Sequence, residues 1–211
     1  MALLEDKDIL LFQGDSITDA GRNETPDGLG WGYVALIAGT LPVARSGDRI
    51  NVLNRGVSGD RTVELLARWK TDCEDLRPSV LSVMIGVNDV WRHRESWNGQ
   101  TYVGPEEFVA NYRKLLDRAL ACGVRRLVLC SPTTIDDAKS TDLQGLLDER
   151  VSLVKDLAVE YGALYVPLAE AQKSLLSRRP DIAWTQDGCH PTLCGHAALA
   201  RVWVETVLAR D

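Results

Sequence analysis

The sequence has no excess of positive charge: its 211 residues include 24 lysines and arginines against 30 aspartates and glutamates, a formal net charge of −6. A protein that binds nucleic acid needs a basic face for the phosphate backbone, so this balance argues against a nucleic-acid partner. The chain also lacks any run that approaches the ~20 apolar residues of a membrane span, which argues against a membrane partner. Only two phenylalanines are present, a mild argument against a site for a large acyl chain.

A secretory signal is missing as well. Residues 1–8 read Met-Ala-Leu-Leu-Glu-Asp-Lys-Asp, with acids where a signal peptide needs an unbroken apolar core. The five cysteines are odd in number and irregular in spacing, which predicts free thiols in a reducing compartment. We therefore expect a cytoplasmic protein, while the alternative that an export signal was removed stays open.

The composition is ordinary for a soluble globular protein, with 45% apolar and 26% charged residues. The length suits one α/β domain and is enough to bury a core. Because no repeat, low-complexity tract or linker interrupts the chain, a single domain over residues 1–211 is predicted.

Short apolar runs alternate with segments of helical periodicity along the whole chain. Strands are predicted at residues 8–13, 50–54, 80–85, 126–130 and 163–166, and helices at 31–41, 60–69, 105–122, 140–161 and 192–209. Residues 18–28 are rich in turn formers and predict a loop. This alternation indicates an α/β fold with a parallel sheet and helices on both faces.

The first predicted strand ends in Gly14-Asp15-Ser16-Ile17. Ligands of open α/β sheets bind at the carboxyl ends of the strands, so Ser16 is a candidate nucleophile. The alternative is that Asp15 and Ser16 only cap the next segment.

A serine nucleophile needs a general base, and the chain has three histidines. His93 lies between arginines, which disfavour a second positive charge, and His196 lies inside the last helix as a packing or surface residue. His190 follows Asp187 by three residues in a loop with glycine and proline, so the carboxylate can bind Nδ1–H and leave Nε2 for Ser16. The alternative is a surface loop in which the two residues have no joint role.

Donors for an oxyanion are expected at the same edge of the sheet. The candidates are the amides of Ser16 and Gly59, the latter after the second strand, and the side-chain amide of Asn88 after the third. Gly59 could instead be a turn glycine, and Asn88 a structural loop amide. We interpret Asp89 as an acid that braces its loop.

Four residues near the C-terminus superficially suggest a zinc site: Cys189, His190, Cys194 and His196. Their spacing matches no closed zinc motif, and residues 194 and 196 are two apart, so they do not share a helix face. We expect no metal here and a free thiol at Cys189.

Four short blocks carry these candidates in a characteristic order. They are Gly14-Asp15-Ser16, Ser58-Gly59-Asp60, Gly86-Val87-Asn88-Asp89 and Asp187-Gly188-Cys189-His190-Pro191. Together they resemble the signature blocks of the SGNH hydrolases, also called GDSL hydrolases, and the resemblance spans nearly the whole chain. Ile17 stands where the name of the family has leucine, which is a conservative apolar change.

The resemblance implies a doubly wound, flavodoxin-like α/β/α sandwich with a five-stranded parallel sheet. It also implies a serine esterase in which Ser16 is the nucleophile and Asp187 and His190 complete the catalytic triad. Ser16, Gly59 and Asn88 would donate hydrogen bonds to the oxyanion. Such an esterase requires no metal or organic cofactor.

A narrower resemblance concerns the substrate. Residues 14–19, 67–69, 85–92 and 183–184 look like the bacterial intracellular acetylxylan esterases, which remove acetyl groups from xylo-oligosaccharides. The implied partner is a small-molecule ester, an acetylated oligosaccharide. Asp15, Trp91 and Trp184 would then bind substrate, the tryptophans by walling a small acyl pocket or stacking on a sugar. The alternative for both tryptophans is a place in the core.

Two further functions stay open at this point. A lipolytic esterase or thioesterase, of the lysophospholipase kind, would use the same residues on a longer acyl chain. A non-catalytic carbohydrate-binding domain could share the fold, although all the catalytic positions are filled here. The sequence leaves the oligomeric state open, and an exposed Trp97 or Trp203 could serve an interface in a homo-oligomer.

Overall fold

The computed structural model describes residues 3–93, 98–133 and 141–209. The strands are β1 (Ile9–Gly14), β2 (Asn51–Asn54), β3 (Val80–Met84), β4 (Arg126–Cys130) and β5 (Leu164–Val166). The helices of the described residues are α1 (Ser16–Asp19), α2 (Tyr33–Ala44), α3 (Thr62–Ala67), α4 (Trp69–Asp72), α5 (Val87–Trp91), α6 (Pro105–Ala121), α7 (Thr141–Glu160), α8 (Leu168–Arg178) and α9 (Leu193–Leu208).

The five strands form one sheet in the order β2-β1-β3-β4-β5, and every pair is parallel. This is the flavodoxin-like, doubly wound order, so the predicted fold class is confirmed. The order reverses between β1 and β3, and the loops beyond these strands leave a crevice at their carboxyl ends. The predicted nucleophile and Asn88 follow these two strands.

Alternate residues of β1 enter the two layers of the core. Leu10 and Phe12 pack in a cluster with Ile37 of α2 and Trp203 of α9. Leu11 packs in the opposite cluster, with residues of α3, α4 and α6. A strand buried on both faces needs a near-continuous apolar run, which is why residues 9–12 carry no charge. Full burial of one such side chain contributes about 1.5–3 kcal/mol.

Several local features differ from the prediction. The single helix predicted over residues 60–69 is interrupted at Arg68, which ends α3 and precedes α4. Helix α8 was not predicted. Its buried face includes the polar Gln172 beside Leu168 and Ala169, so the apolar pattern of that face is weak in the sequence. Part of the predicted loop over residues 18–28 forms the short helix α1, which begins at Ser16.

Trp203 is fully buried, and its indole Nε1 donates a hydrogen bond to Ser82 Oγ at 3.0 Å. The expectation that it serves an interface is therefore wrong, since a core side chain has no surface to offer. Trp97 lies outside the described residues. All five cysteines are free thiols, as predicted. Among the residues described, none of the helices combines the length and hydrophobicity needed to cross a bilayer.

Candidate active site

A tight turn between β1 and α1 presents Ser16. Gly14 leaves no room for a side chain, since a Cβ there would lie 2.2 Å from Thr18 Oγ1 and 2.4 Å from the Met84 carbonyl oxygen. Asp15 Oδ1 then accepts a hydrogen bond from the Ile17 amide at 3.0 Å and caps α1. Ser16 is the first residue of that helix, so its own amide has no partner within the helix.

The Ser16 hydroxyl meets a histidine from the far end of the chain. Ser16 Oγ lies 2.8 Å from His190 Nε2. His190 Nδ1 lies 2.7 Å from Asp187 Oδ2. A carboxylate can only accept, so Nδ1 carries the proton and Nε2 is free to accept from the serine. The structure thus brings together the three residues that the sequence suggested as a triad.

Hydrogen bonds within the loop that carries Asp187 and His190 fix its conformation. The Gln186 amide donates to the His190 carbonyl at 2.8 Å, and Asp187 Oδ1 accepts from the backbone amides of Cys189 and His190 at 3.0 and 2.8 Å. One carboxylate, that of Asp187, therefore holds His190 by both its backbone amide and its ring.

The protonation of Asp187 follows from these contacts. Partial burial works to raise its pKa, but the hydrogen bonds from the His190 backbone, the His190 ring and the Cys189 backbone outweigh it and lower the pKa. The carboxylate stays ionised at neutral pH, where it can orient the imidazole and stabilise an imidazolium.

The two other predicted oxyanion donors lie next to each other. Gly59 occupies a turn after β2 with φ = 85°, a left-handed conformation that favours glycine. Asn88 lies in the first turn of α5, and its Nδ2 donates to the Asp60 carbonyl at 3.1 Å. An amide nitrogen has two hydrogens, so Asn88 keeps one donor for another acceptor.

Arg68 connects these loops, although it was not predicted from the sequence as a site residue. Its guanidinium donates to Asp60 Oδ2 at 2.6 Å and to the Gly14 carbonyl at 3.2 Å. It also donates to Gln13 Oε1 and Asp72 Oδ2. One side chain thereby ties the end of β1, before the serine, to the turn that holds the predicted oxyanion donor. The segment 67–69 was part of the narrower family resemblance, but the sequence does not show which groups the Arg68 side chain contacts.

Asp89 is fully buried and accepts from the Thr62 amide at 3.1 Å and from Thr62 Oγ1 at 2.6 Å. Burial raises its pKa to about 6, although the hydrogen bonds from Thr62 work in the opposite direction. It therefore braces α5 against α3, which matches the interpretation of Asp89 as a bracing acid.

Asp15 is only 2% exposed and faces protein rather than solvent. Burial raises its pKa to about 7, against the lowering effects of the Ile17 amide and of His190. Direct contact with substrate, predicted for Asp15, does not fit this burial, because its carboxylate is occupied in capping α1.

The two tryptophans predicted to bind substrate are packed against other parts of the protein. Trp184 is 8% exposed, and its Nε1 donates to the Arg179 carbonyl at 2.9 Å. It packs beside Leu175 and Leu199, between α8 and α9. Trp91 is half-buried against the core. Neither lines the cleft at Ser16, so the structure favours the alternative that both are packing residues.

A cleft of about 380 Å³ opens at Ser16 and His190. Its other lining residues are Ile17, Ala20, Gly21, Glu24, Trp31, Gln186, Pro191, Leu193 and His196. Trp31 and His196 form part of its wall, and neither was predicted from the sequence as a site residue. The only sequence signal for Trp31 is its position between two glycines shortly after the serine.

The suggested zinc residues do not form a metal site. Within the described parts of the chain, no three His, Cys, Asp or Glu side chains are grouped so that they could hold an ion. Cys189 is buried, and burial raises the pKa of its thiol, so it is an unreactive thiol.

Comparison with known proteins finds a family model and a relative that each match most of the chain. The model of the GDSL-like lipase/acylhydrolase family matches residues 12–198. An acetylxylan esterase of Geobacillus stearothermophilus is 34% identical over 205 residues, which cover 94% of this chain and 93% of that protein.

Solved structures agree with this relationship. The crystal structure of an acetylxylan esterase from Geobacillus stearothermophilus matches with a TM-score of 0.87 at 32% identity, covering 97% of this chain and 96% of the other. Further structures are catalytic mutants of that enzyme with an aspartate, a serine or a histidine changed to alanine. An α/β hydrolase from the metagenome of Lake Arreo, Spain, matches with a TM-score of 0.88 at 29% identity over 100% of both chains.

Proposed function

Because the chain belongs to the GDSL-like lipase/acylhydrolase family and is a carboxylic ester hydrolase, we propose that it removes acetyl groups from xylo-oligosaccharides or a related carbohydrate. Ser16, His190 and Asp187 form its catalytic triad. The observation that carries this proposal is the unbroken chain of hydrogen bonds from Ser16 Oγ through the His190 ring to Asp187, at 2.8 and 2.7 Å.

Catalysis begins at the hydroxyl of Ser16, which is a weak nucleophile until a base removes its proton. His190 Nε2 takes that proton as Oγ attacks the acetyl carbonyl carbon. Asp187 holds the imidazole in the tautomer that leaves Nε2 unprotonated, and it stabilises the imidazolium that forms.

The carbonyl oxygen then carries a negative charge. The amides of Ser16 and Gly59 and the second Nδ2 hydrogen of Asn88 donate to it. The hydrogen bond from Asn88 to the Asp60 carbonyl holds the side chain in place before substrate arrives, so little reorganisation is needed in the transition state.

Collapse of the tetrahedral intermediate breaks the bond to the alcohol, and His190 gives its proton to the departing alkoxide. Water attacks the acetyl-enzyme with His190 again as base, and acetate leaves with Ser16 regenerated. The chemistry on these residues is complete without a cofactor.

The choice of acetylated carbohydrate rests on the relatives. The protein from Geobacillus stearothermophilus is an acetylxylan esterase, and its catalytic mutants alter the same three residue types that meet at this cleft. A lipid esterase with the same triad is the competing possibility, and the test separates the two.

The test is acetate release from acetylated xylo-oligosaccharides, with acetylated peptidoglycan fragments and simple lipid esters as comparison substrates. We expect release from the xylo-oligosaccharides and none from Ser16→Ala. A serine-directed organophosphonate should label Ser16, as read by mass spectrometry. Full activity of Ser16→Ala would refute the mechanism, and a rate that peaks at hexanoyl or longer acyl chains would favour the lipid function.

A further inference from the structure

We propose that Trp31 and His196 form a subsite for the alcohol part of the ester, and that this subsite selects a carbohydrate ring. The inference rests on the proposed function, since it assumes that Ser16 and His190 act on an ester.

The direction of the leaving group identifies which side of Ser16 this cleft serves. His190 protonates the departing alkoxide, so the alcohol must lie on the His190 side of the nucleophile. The cleft of about 380 Å³ is lined by both Ser16 and His190. Neither Gly59 nor Asn88, the groups that face the carbonyl oxygen, is among its lining residues. The cleft therefore receives the alcohol.

Trp31 is a fixed aromatic surface in this cleft. It is 55% exposed, yet its amide donates to the Ala20 carbonyl at 3.0 Å. Its indole covers Gly21 so closely that a Cβ there would lie 2.3 Å from the ring atom Cζ2. Gly21 has a φ of 76°, so the backbone conformation and the ring both require glycine. A large exposed indole held in this way offers a rigid face for the apolar C–H face of a sugar.

His196 supplies a hydrogen-bond donor beside that surface. Its Nδ1 accepts from the Tyr33 amide at 3.2 Å, so Nδ1 is unprotonated and the neutral ring carries its proton on Nε2. Burial, with a further effect from nearby His190, lowers the pKa of His196 to about 4, so the ring is neutral at neutral pH.

The Nε2 atom of His196 is unpaired and keeps some accessible surface on a residue that lines the cleft. It has no hydrogen-bond partner among the described residues, and it is not one of their buried unpartnered polar atoms. The ring also contacts the backbone next to Trp31, since a Cβ on Gly32 would lie 3.0 Å from His196 Cε1. The donor and the indole are thus parts of one packed unit.

This combination suits a neutral, hydroxylated ring. The indole accepts one apolar face, while Nε2–H donates to a hydroxyl or ring oxygen at its edge. The side chains of Glu24 and Gln186, which line the same cleft, offer acceptors for further hydroxyl groups. An alkyl alcohol would use Trp31 and the exposed Leu193 but would gain nothing from a histidine donor.

The experiment compares three acetyl esters that differ only in the alcohol: acetylated xylose, hexyl acetate and vinyl acetate. The variants are Trp31→Ala and His196→Asn, with Trp31→Phe as a matched control that keeps an aromatic face. Asparagine places an acceptor oxygen where Nδ1 stood, so the Tyr33 amide stays paired while the Nε2 donor is lost. Thermal unfolding of each variant shows that it is folded.

For acetylated xylose, we expect kcat/KM to fall about tenfold in Trp31→Ala and about fivefold in His196→Asn, with Trp31→Phe retaining most activity. For vinyl acetate, each variant should stay within about twofold of the parent protein, because its small alcohol part has no ring or hydroxyl groups to contact Trp31 or His196. An equal fall for vinyl acetate, or no fall for the sugar ester, would overturn the inference.

Two other outcomes separate the inference from the proposed function. If Trp31→Ala lowers only hexyl acetate hydrolysis and His196→Asn lowers nothing, the subsite binds an apolar alcohol and the carbohydrate assignment is wrong. If Ser16→Ala keeps the activity of the parent protein, the triad itself is refuted, whatever the two cleft variants do.

Discussion

Replacing Asp15 with asparagine should make the protein more stable at neutral pH without removing the helix cap. Asparagine caps helices about as well as aspartate, so the contact to the Ile17 amide can persist. The change removes a carboxyl group that is 2% exposed and whose pKa is raised by burial from 3.8 to about 7. In the parent protein, ionising this group costs more in the folded state than in the unfolded chain.

The direction and size of the effect follow from that difference. Below a pH of about 4 the carboxyl is protonated in both states, so it contributes no charge penalty. As the pH rises to about 7 the unfolded chain releases its proton first, and the folded state loses stability. A shift of about 3 pKa units corresponds to about 4 kcal/mol. The parent protein should therefore lose up to about 4 kcal/mol relative to Asp15→Asn across this interval.

The assay is urea unfolding of both proteins at several pH values between about 4 and 8, with the difference in unfolding free energy plotted against pH. Asp27→Asn is the control. Asp27 is exposed, and its pKa is lowered by hydrogen bonds from the Leu29 amide and Thr25. Its carboxylate contributes stability that is lost as the pH falls, so this variant should show the opposite sign. A flat difference for Asp15→Asn would refute the claim that burial dominates at that position.

Three other perturbations test the candidate site. Asn88→Ala should lower kcat by on the order of 10²–10³ with little change in KM, because it removes a donor used in the transition state; a steady-state rate within threefold of the parent would contradict that role. Asp187→Asn should reduce turnover by a factor on the order of 10⁴, as for a triad that loses its orienting carboxylate. Its melting temperature should change little, because the Asp187 side chain is largely exposed. A fall in stability that accounts for the lost activity would argue for a structural role instead. Adding zinc or a strong chelator should change neither the esterase rate nor the melting temperature, since the proposed mechanism uses no metal. A chelator-sensitive rate would contradict that mechanism.

The arrangement of the site was predictable because parallel strands share a direction. Ser16 and Asn88 follow β1 and β3, and the loops after such strands meet at one edge of the sheet. The short spacing between Asp187 and His190 likewise limits the pair to a local turn, which the structure contains. These relations depend on chain order and local geometry, so they can be recognised without coordinates.

Other features depended on packing that the sequence does not display. The same residue type occupies opposite environments in this chain: Trp203 is completely buried and Trp31 is 55% exposed. Neither has a charged residue directly beside it in the sequence, and only the packing of the segment before α2 and of α9 decides which one reaches solvent. For the same reason, Trp184 and Trp91 were predicted at the substrate, although neither is among the residues that line the cleft at Ser16.

Chain order and residue type alone determined the α/β class, the edge of the sheet at which chemistry is concentrated, and the candidates Ser16, Asp187 and His190. Only the tertiary structure decided how Arg68 ties two loops together, which side of Ser16 opens into a cleft, and which side chains line it. The physical reason is that strand direction and turn chemistry are local properties of the chain, whereas burial and the free hydrogen-bonding groups of a side chain arise from contacts between residues far apart in sequence.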